Sequence, residues 1–257
     1  MKLTMKKHLS VAMLLARSTI YPVLALLAVM AGAQIALFSV RFRDAAAAAS
    51  AGAGTGMRAL EALFGEGLIP WIFGGAFLLI TVLLCSAGCS FGSRVDYTID
   101  RLLISERSVF WWQVGYNAAV YVLLWAAEVA VAVGCSLAYA AGAPAGIVSG
   151  QTVFLAFHRG DFLHSLLPLA DWWLWGRNLL LIAGLALATA RFPMCQRRGR
   201  FSAAIVPMVA AAFLFSQGMG FVAVTTLAVI PTLWVIGGVL WAVCRKEDEE
   251  EGEGEAQ

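Results

Sequence analysis

Charged residues are scarce in this sequence, and most of them lie between long apolar runs. Only 13% of the 257 residues are charged, whereas 61% are hydrophobic. A water-soluble domain is nearer one quarter charged, because it must cover its outside with polar groups. This composition therefore excludes a soluble globular domain. The runs also lack the strict alternation of a membrane β-barrel strand, so helices are expected to bury the backbone polar groups.

Several motifs of nucleotide and metal chemistry are missing. The sequence has no GxxxxGK[ST] loop for ATP and no HExxH pair for zinc. Five cysteines form no CxxC framework, and their odd number fits reduced thiols better than a disulfide scaffold. His158 and His164 flank Asp161, but a polar face on a loop helix is the simpler interpretation. We therefore expect no catalytic residues, no metal and no cofactor.

The apolar runs match the length of membrane-crossing helices, which need roughly 20 apolar residues. They predict an all-α, polytopic transmembrane bundle with six spans. Gln217–Gly220 is the one break between the last two runs and indicates a tight hairpin, since about 40 apolar residues are too many for a single kinked span. The predicted spans cover residues 19–40, 68–90, 110–141, 172–190, 202–216 and 221–244.

The distribution of positive charge predicts the orientation. Thirteen of the 18 Lys and Arg residues flank the same side of the six spans, including the cluster in the short loop from Pro193 to Arg200. Cytoplasmic flanks carry the excess of positive charge, so both termini are predicted in the cytoplasm. A cleaved signal peptide, with Ala31–Ala33 as the cleavage site, remains an alternative.

The segments outside the spans have distinct characters. Residues 3–16 predict an interfacial helix that leads into span 1, with an unstructured lead as the alternative. Residues 1–246 thus form a single transmembrane domain, and residues 247–257 an acidic disordered tail. The alanine-rich and glycine-rich segment 44–56 predicts a flexible loop. Loop 142–171 contains an amphipathic stretch over 154–167, followed by three tryptophans typical of a membrane interface.

Polar residues interrupt the apolar runs at several positions, including Gln113. Glu128 lies deep in span 3, where an ionisable group is a functional candidate by default. The alternative is a hydrogen-bonded carboxyl that holds helices together, and the sequence does not decide between the two. Gln34 and Asn117 are better explained as interhelical hydrogen-bonding residues.

The connection between spans 2 and 3 is charged and short. A helix over about 96–104 would direct Asp96, Asp100 and Arg101 toward the cytoplasm. Ser105 is placed to cap the next helix, with Ser108 at its third position. Such an elbow is suited to binding a partner protein, and a solvated loop is the alternative.

The elbow sequence Tyr97–Arg107, the six spans, the cytoplasmic termini and the leading interfacial helix together resemble the membrane subunit of an ABC-2-type ABC transporter. Two features differ from that family: the usual proline of the elbow turn is absent, and the long outside segment lies between spans 3 and 4. The resemblance implies a permease in a bacterial plasma membrane, without its own motor. Two such permeases would form a homodimer or heterodimer in the lipid bilayer. This dimer would bind a cytoplasmic ATP-binding subunit.

The same resemblance implies roles for individual residues. The residues expected to couple the spans to the ATPase are Asp96, Asp100, Arg101, Glu106 and Arg107. ATP hydrolysis would take place on the partner chain, nucleic acid is not an expected ligand, and the few charges along the spans favour an amphipathic or hydrophobic substrate. The alternatives are a non-transport sensor or assembly protein acting through loop 142–171, a secondary transporter or channel centred on Glu128, and an intramembrane enzyme.

Overall fold

A computed structural model describes residues 2–50, 59–65, 67–87, 89, 105–143, 148–169, 171–197, 199, 202–216, 229–230 and 232–241. This part of the chain is all helical, as predicted, and contains no strand. The main helices are α1 (Lys2–Ser50), α2 (Leu60–Gly65), α3 (Ile69–Ala87), α4 (Glu106–Gly142), α5 (Thr152–Arg159), α6 (Asp161–Leu166), α7 (Trp172–Arg197), α8 (Ile205–Ser216) and α9 (Thr232–Trp241).

Four helices are long and apolar enough to cross a membrane. They contain the segments Ala16–Ser50, Ile69–Ser86, Arg107–Gly142 and Trp172–Gln196. Their outward faces are apolar as well: Val29, Leu79 and Leu179 are each more than half exposed. An apolar exterior of this extent is costly in water and favourable in lipid, so the chain is a membrane-embedded protein.

The contacts between helices fix their relative directions. Tyr116 and Glu128 of α4 meet Thr19 and Gln34 of α1, so residue numbers rise together and the two helices are parallel. Asn117 contacts Thr189 of α7, whereas Trp125, further along α4, packs on Trp175. Helix α7 therefore runs opposite to α4.

Helix α9 follows the direction of α7. Arg191 of α7 donates to the Val239 carbonyl of α9 at 3.2 Å, and Gly184, seven residues earlier, lies against Thr232. Helix α8, with 12 residues, is shorter than a membrane crossing. The predicted hairpin at 217–220 lies outside the described residues, as does the predicted acidic tail.

Three short helices cover one end of the bundle, which we call the cap end. These helices are α2, α5 and α6. Helices α5 and α6 meet at Gly160 and together correspond to the amphipathic stretch predicted over 154–167. Their buried side chains include Phe157 and Phe162, and Phe162 packs on Phe73 of α3 with ring centroids 6.2 Å apart. We call the opposite end, where α4 begins, the elbow end.

Two predicted boundaries are wrong. The alanine run of segment 44–56 was expected to be a flexible loop, but α1 continues to Ser50, since alanine has the highest helix propensity. The loop expected over Pro193–Arg200 is helical over its first five residues, because α7 contains that proline and extends to Arg197. Residues 3–16 are helical as predicted, but they form one helix with span 1, and their interfacial position stays a prediction.

Candidate functional site: the polar seam of helix α4

Helix α4 begins with the cap that the sequence predicted. The Ser105 hydroxyl accepts a hydrogen bond from the backbone N–H of Ser108, with N and Oγ 3.4 Å apart. The same N–H also donates to the Ser105 carbonyl at 2.9 Å, so the hydroxyl is a second acceptor at the helix start, where donors lack partners within the helix. Helix α4 therefore begins at Glu106, within the last residues of the predicted elbow sequence Tyr97–Arg107.

The predicted coupling residues are only partly described. Asp96, Asp100 and Arg101 lie outside the described residues, together with most of the elbow. Glu106 is the first residue of α4, and Arg107 beside it is exposed. Their role in binding a partner stays a prediction.

Four polar side chains of α4 reach the other long helices, and we call them the polar seam: Tyr116, Asn117, Tyr121 and Glu128. Tyr116 shares a hydrogen bond with Thr19 of α1, and Tyr121 shares one of 3.0 Å with Thr81 of α3. Asn117 donates to Thr189 Oγ1 of α7 at 2.9 Å. Helix α4 is therefore tied by side chains to α1, α3 and α7 at once.

Glu128 and Gln34 form the fourth bond of the seam. Gln34 Nε2 donates to Glu128 Oε1 at 2.9 Å, and each side chain is only 1% exposed. Glu128 Oε2 and Gln34 Oε1 accept no hydrogen bond from any described residue. Both residues were singled out from the sequence, and the structure brings them together while leaving two buried acceptors unsatisfied. Unsatisfied buried acceptors are costly, which marks this pair as a binding candidate.

An apolar groove begins beside this pair, between α1 and α4. Its cavity volume is about 470 Å³. The α1 side of the lining starts at Ile35, the residue after Gln34 in sequence, and the α4 side starts at Ala130, two residues after Glu128. Gln34 and Glu128 are buried behind this lining and do not themselves belong to it. Ser39 is the one hydroxyl side chain of the lining, whose other members are Phe38, Phe42, Val131, Gly134, Cys135 and Ala138. From the pair, the groove extends toward the cap end.

Sequence reasoning missed the role of Arg177, which it counted only as a charge for orientation. Arg177 and Asn178 are each 3% exposed, and both donate to the Ser165 carbonyl near the end of α6, at 3.3 and 3.0 Å. Terminal carbonyls of a helix lack partners within the helix and attract cations. The sequence did contain a signal for this role. Arg177 lies within an apolar span, just after the tryptophans at its start, and a charged residue in that position is a functional candidate.

His158 and His164 lie in the cap end. His164 Nε2 is 3.1 Å from Asp171 Oδ2, and the His158 ring packs edge-on against His164. Asp161 begins α6 and is exposed. Among the described residues, no three His, Cys, Asp or Glu side chains are arranged to hold a metal ion.

One serine pattern was also missed by the sequence reasoning. Gly88, Cys89, Ser90, Phe91 and Gly92 match the GxSxG spacing of hydrolase nucleophiles. In those enzymes the serine lies on a turn from a strand to a helix. Here the pattern follows the apolar helix α3, which ends at Ala87, so the preceding strand is lacking. Within the pattern only Cys89 belongs to the described residues, and its thiol donates to the Cys85 carbonyl.

Comparison with known proteins gives no relative: no protein-family model, no curated protein and no solved structure matches this chain.

Proposed function

We propose that this chain is the permease subunit of an ATP-driven transporter of the ABC-2 type, with the ATPase on a separate cytoplasmic chain. The observation that carries the proposal is helix α4. It begins at Glu106, after the N-cap Ser105 and within the end of the charged elbow, and continues for 37 residues, or about 55 Å at the usual helical rise. A partner that moved the elbow would move the start of this helix.

The polar seam supports the same proposal, because it links α4 to the rest of the bundle. Displacement of α4 would strain its hydrogen bonds to Thr19, Thr81 and Thr189, which lie on three different helices. Closure of an ATPase at the elbow could thus be transmitted to α1, α3 and α7 together. Coupling between distant sites is carried by hydrogen-bond networks and packed helices of this kind when they can adopt two arrangements.

In this proposal the chain crosses the plasma membrane six times, with both termini in the cytoplasm. The alternating directions of α4 and α7, and the parallel course of α7 and α9, support the six-span arrangement. The elbow end then faces the cytoplasm and the cap end faces outward.

The test is purification of the chain in mild detergent, followed by identification of bound proteins. We expect a nucleotide-binding subunit to co-purify. Charge reversal at the elbow, Asp100→Lys or Arg101→Glu, should reduce ATPase activity in the complex without lowering expression. Arg159→Glu is the matched control, since Arg159 is an exposed cation at the cap end. Recovery of no ATP-binding protein, also after crosslinking in intact membranes, contradicts the proposal.

The second candidate function is a secondary transporter centred on Glu128, and the half-satisfied Gln34–Glu128 pair favours it. The energy source separates the two candidates. A secondary transporter loses activity in vesicles when an ionophore collapses the ion gradients, and it needs no ATP. The ATP-driven permease shows the reverse dependence.

A further inference from the structure

The Gln34–Glu128 pair and the groove beside it have complementary chemistry. The pair contributes two buried acceptor atoms that receive no hydrogen bond from the described residues, Glu128 Oε2 and Gln34 Oε1. The groove contributes an apolar wall that begins at Ile35 and Ala130. We propose that the two form one binding site for an apolar primary amine. Its hydrocarbon part lies in the groove, and its ammonium group donates to the two acceptors once the Gln34 and Glu128 side chains turn from their buried positions toward the groove.

The acceptors define the chemistry of the ligand head. A carboxylate and an amide oxygen need hydrogen-bond donors, and an ammonium group has three donors and no acceptor. Its positive charge also complements the carboxylate, and charge-assisted bonds are about twice as strong as neutral ones. A hydroxyl head supplies one donor and no charge, while a quaternary ammonium supplies charge without a donor. The site should therefore rank primary amines above both.

The groove defines the rest of the ligand. Lipid is as apolar as the groove, so moving a hydrocarbon chain from the bilayer into the groove gains packing but little hydrophobic free energy. Selectivity must then come from the head at Glu128, and the groove limits the size of the tail. This inference rests on the proposed function, and it names the substrate class of the permease as cationic, amine-headed amphiphiles.

Cys135 reports directly on occupancy, because it lines the groove two helical turns after Glu128. The experiment uses the full chain in membrane vesicles, with Cys85, Cys89, Cys195 and Cys244 replaced by alanine. A small membrane-permeant maleimide then labels Cys135, and the rate is measured with octylamine, octan-1-ol or octyltrimethylammonium present. We expect octylamine to slow labelling about tenfold, which corresponds to about 1.4 kcal/mol of preference. The other two ligands should change the rate little.

Two variants test the two halves of the site. Glu128→Gln should remove the advantage of octylamine over octan-1-ol. Gly134→Leu should fill the groove, and it should fold, because a Cβ at Gly134 meets no atom within 4 Å. Octylamine should then no longer raise the unfolding temperature of the purified chain. Gly115→Leu is the matched control: it lies on the same helix, away from the groove, and its Cβ is equally free.

The possible results separate this inference from the proposed function. Equal protection by all three ligands, no protection by any of them, or amine preference that survives in Glu128→Gln would overturn the amine site. If the ATPase co-purifies while the amine site fails, the permease stands and its substrate class is wrong. If the amine protects Cys135 while no ATPase is found, the site stands and the motor is wrong.

Discussion

Asn117 of α4 donates a 2.9 Å hydrogen bond to Thr189 of α7, and both side chains are 1% exposed or less. The Thr189 hydroxyl in turn donates to the Leu185 carbonyl of its own helix. The bond therefore joins the antiparallel helices α4 and α7. The Thr189 side chain that accepts it is held in one orientation by its own bond to Leu185. The position of the Asn117–Thr189 bond between α4 and α7 makes it a measure of how much the polar seam stabilises the bundle.

We expect Asn117→Leu to lower the free energy of unfolding by roughly 0.6–1.7 kcal/mol, the range measured for interhelical hydrogen bonds in a membrane protein. Thr189→Val should cost a similar amount, and the double variant less than the sum. Unfolding in mixed micelles measures all three. Leu123→Ala is the control, because Leu123 is 39% exposed on the outer face of α4. Additive effects of the two seam variants would show that the bond contributes nothing.

The Gln34–Glu128 pair calls for a different comparison. Glu128→Leu leaves Gln34 buried with no partner on α4, which should cost about 1–3 kcal/mol in the free energy of unfolding. Gln34→Leu should cost a comparable amount. The double variant replaces both polar groups with apolar ones and should recover most of the loss, as for other buried polar pairs. Urea or detergent titration of the four proteins measures the cycle, and a double variant as unstable as the sum contradicts it.

The helices, but not their contacts, follow from the sequence. Span 4 was predicted over 172–190 because a bilayer of about 30 Å requires that length, and α7 begins at the predicted residue, Trp172. Its extension to Arg197 was missed because a proline usually ends a helix, and here Pro193 does not. Hydropathy indicates which residues can lie in lipid. It does not indicate whether the helix continues beyond the last of them.

The partners of the polar residues depend on the rotation and height of each helix. Glu128 and Gln34 were each recognised as unusual in an apolar run, yet they are 94 residues apart in sequence and meet because α1 and α4 pack side by side with these two residues at the same height. Arg177 was recognised only as a charge, because the Ser165 carbonyl that it contacts belongs to a short helix outside the spans. A pairing of this kind requires three-dimensional packing, which residue type alone does not encode.

The N-cap of α4 is testable without knowledge of the partner. Ser105→Ala removes the side-chain acceptor for the Ser108 N–H, which keeps its bond to the Ser105 carbonyl, and should cost about 1 kcal/mol. Hydrogen exchange should become faster in the first turn of α4, residues 106–110, because those amides lose their cap. Ser105→Asp should restore protection. Ser86→Ala is the control, since Ser86 is also exposed and donates only to the Leu83 carbonyl in its own helix. Unchanged exchange in Ser105→Ala would contradict a role for the cap.

Arg177 is expected to hold the cap end on the bundle. Arg177→Leu removes the bond to Ser165 and leaves Asn178 Oδ1, which accepts from Arg177 at 3.0 Å, without that donor. We expect faster hydrogen exchange in α6 and loss of roughly 1–3 kcal/mol in the free energy of unfolding, the cost of unsatisfied buried groups. Arg159→Leu is the control, because Arg159 is exposed. If the two variants behave alike, Arg177 does not hold the cap.

The six-span arrangement is tested by single cysteines in a chain whose native cysteines are replaced. Ser149→Cys lies at the exposed start of the cap, and Arg107→Cys at the exposed start of α4. In intact cells, a membrane-impermeant maleimide should label Ser149→Cys, whereas Arg107→Cys should require permeabilisation, because α4 separates the two positions by more than one bilayer thickness. A cysteine at Gln257 should behave like Arg107→Cys if α8 and α9 each belong to a separate crossing of the membrane. Labelling of Gln257→Cys from outside would mean an odd number of crossings, and the permease would then lack a cytoplasmic C-terminus.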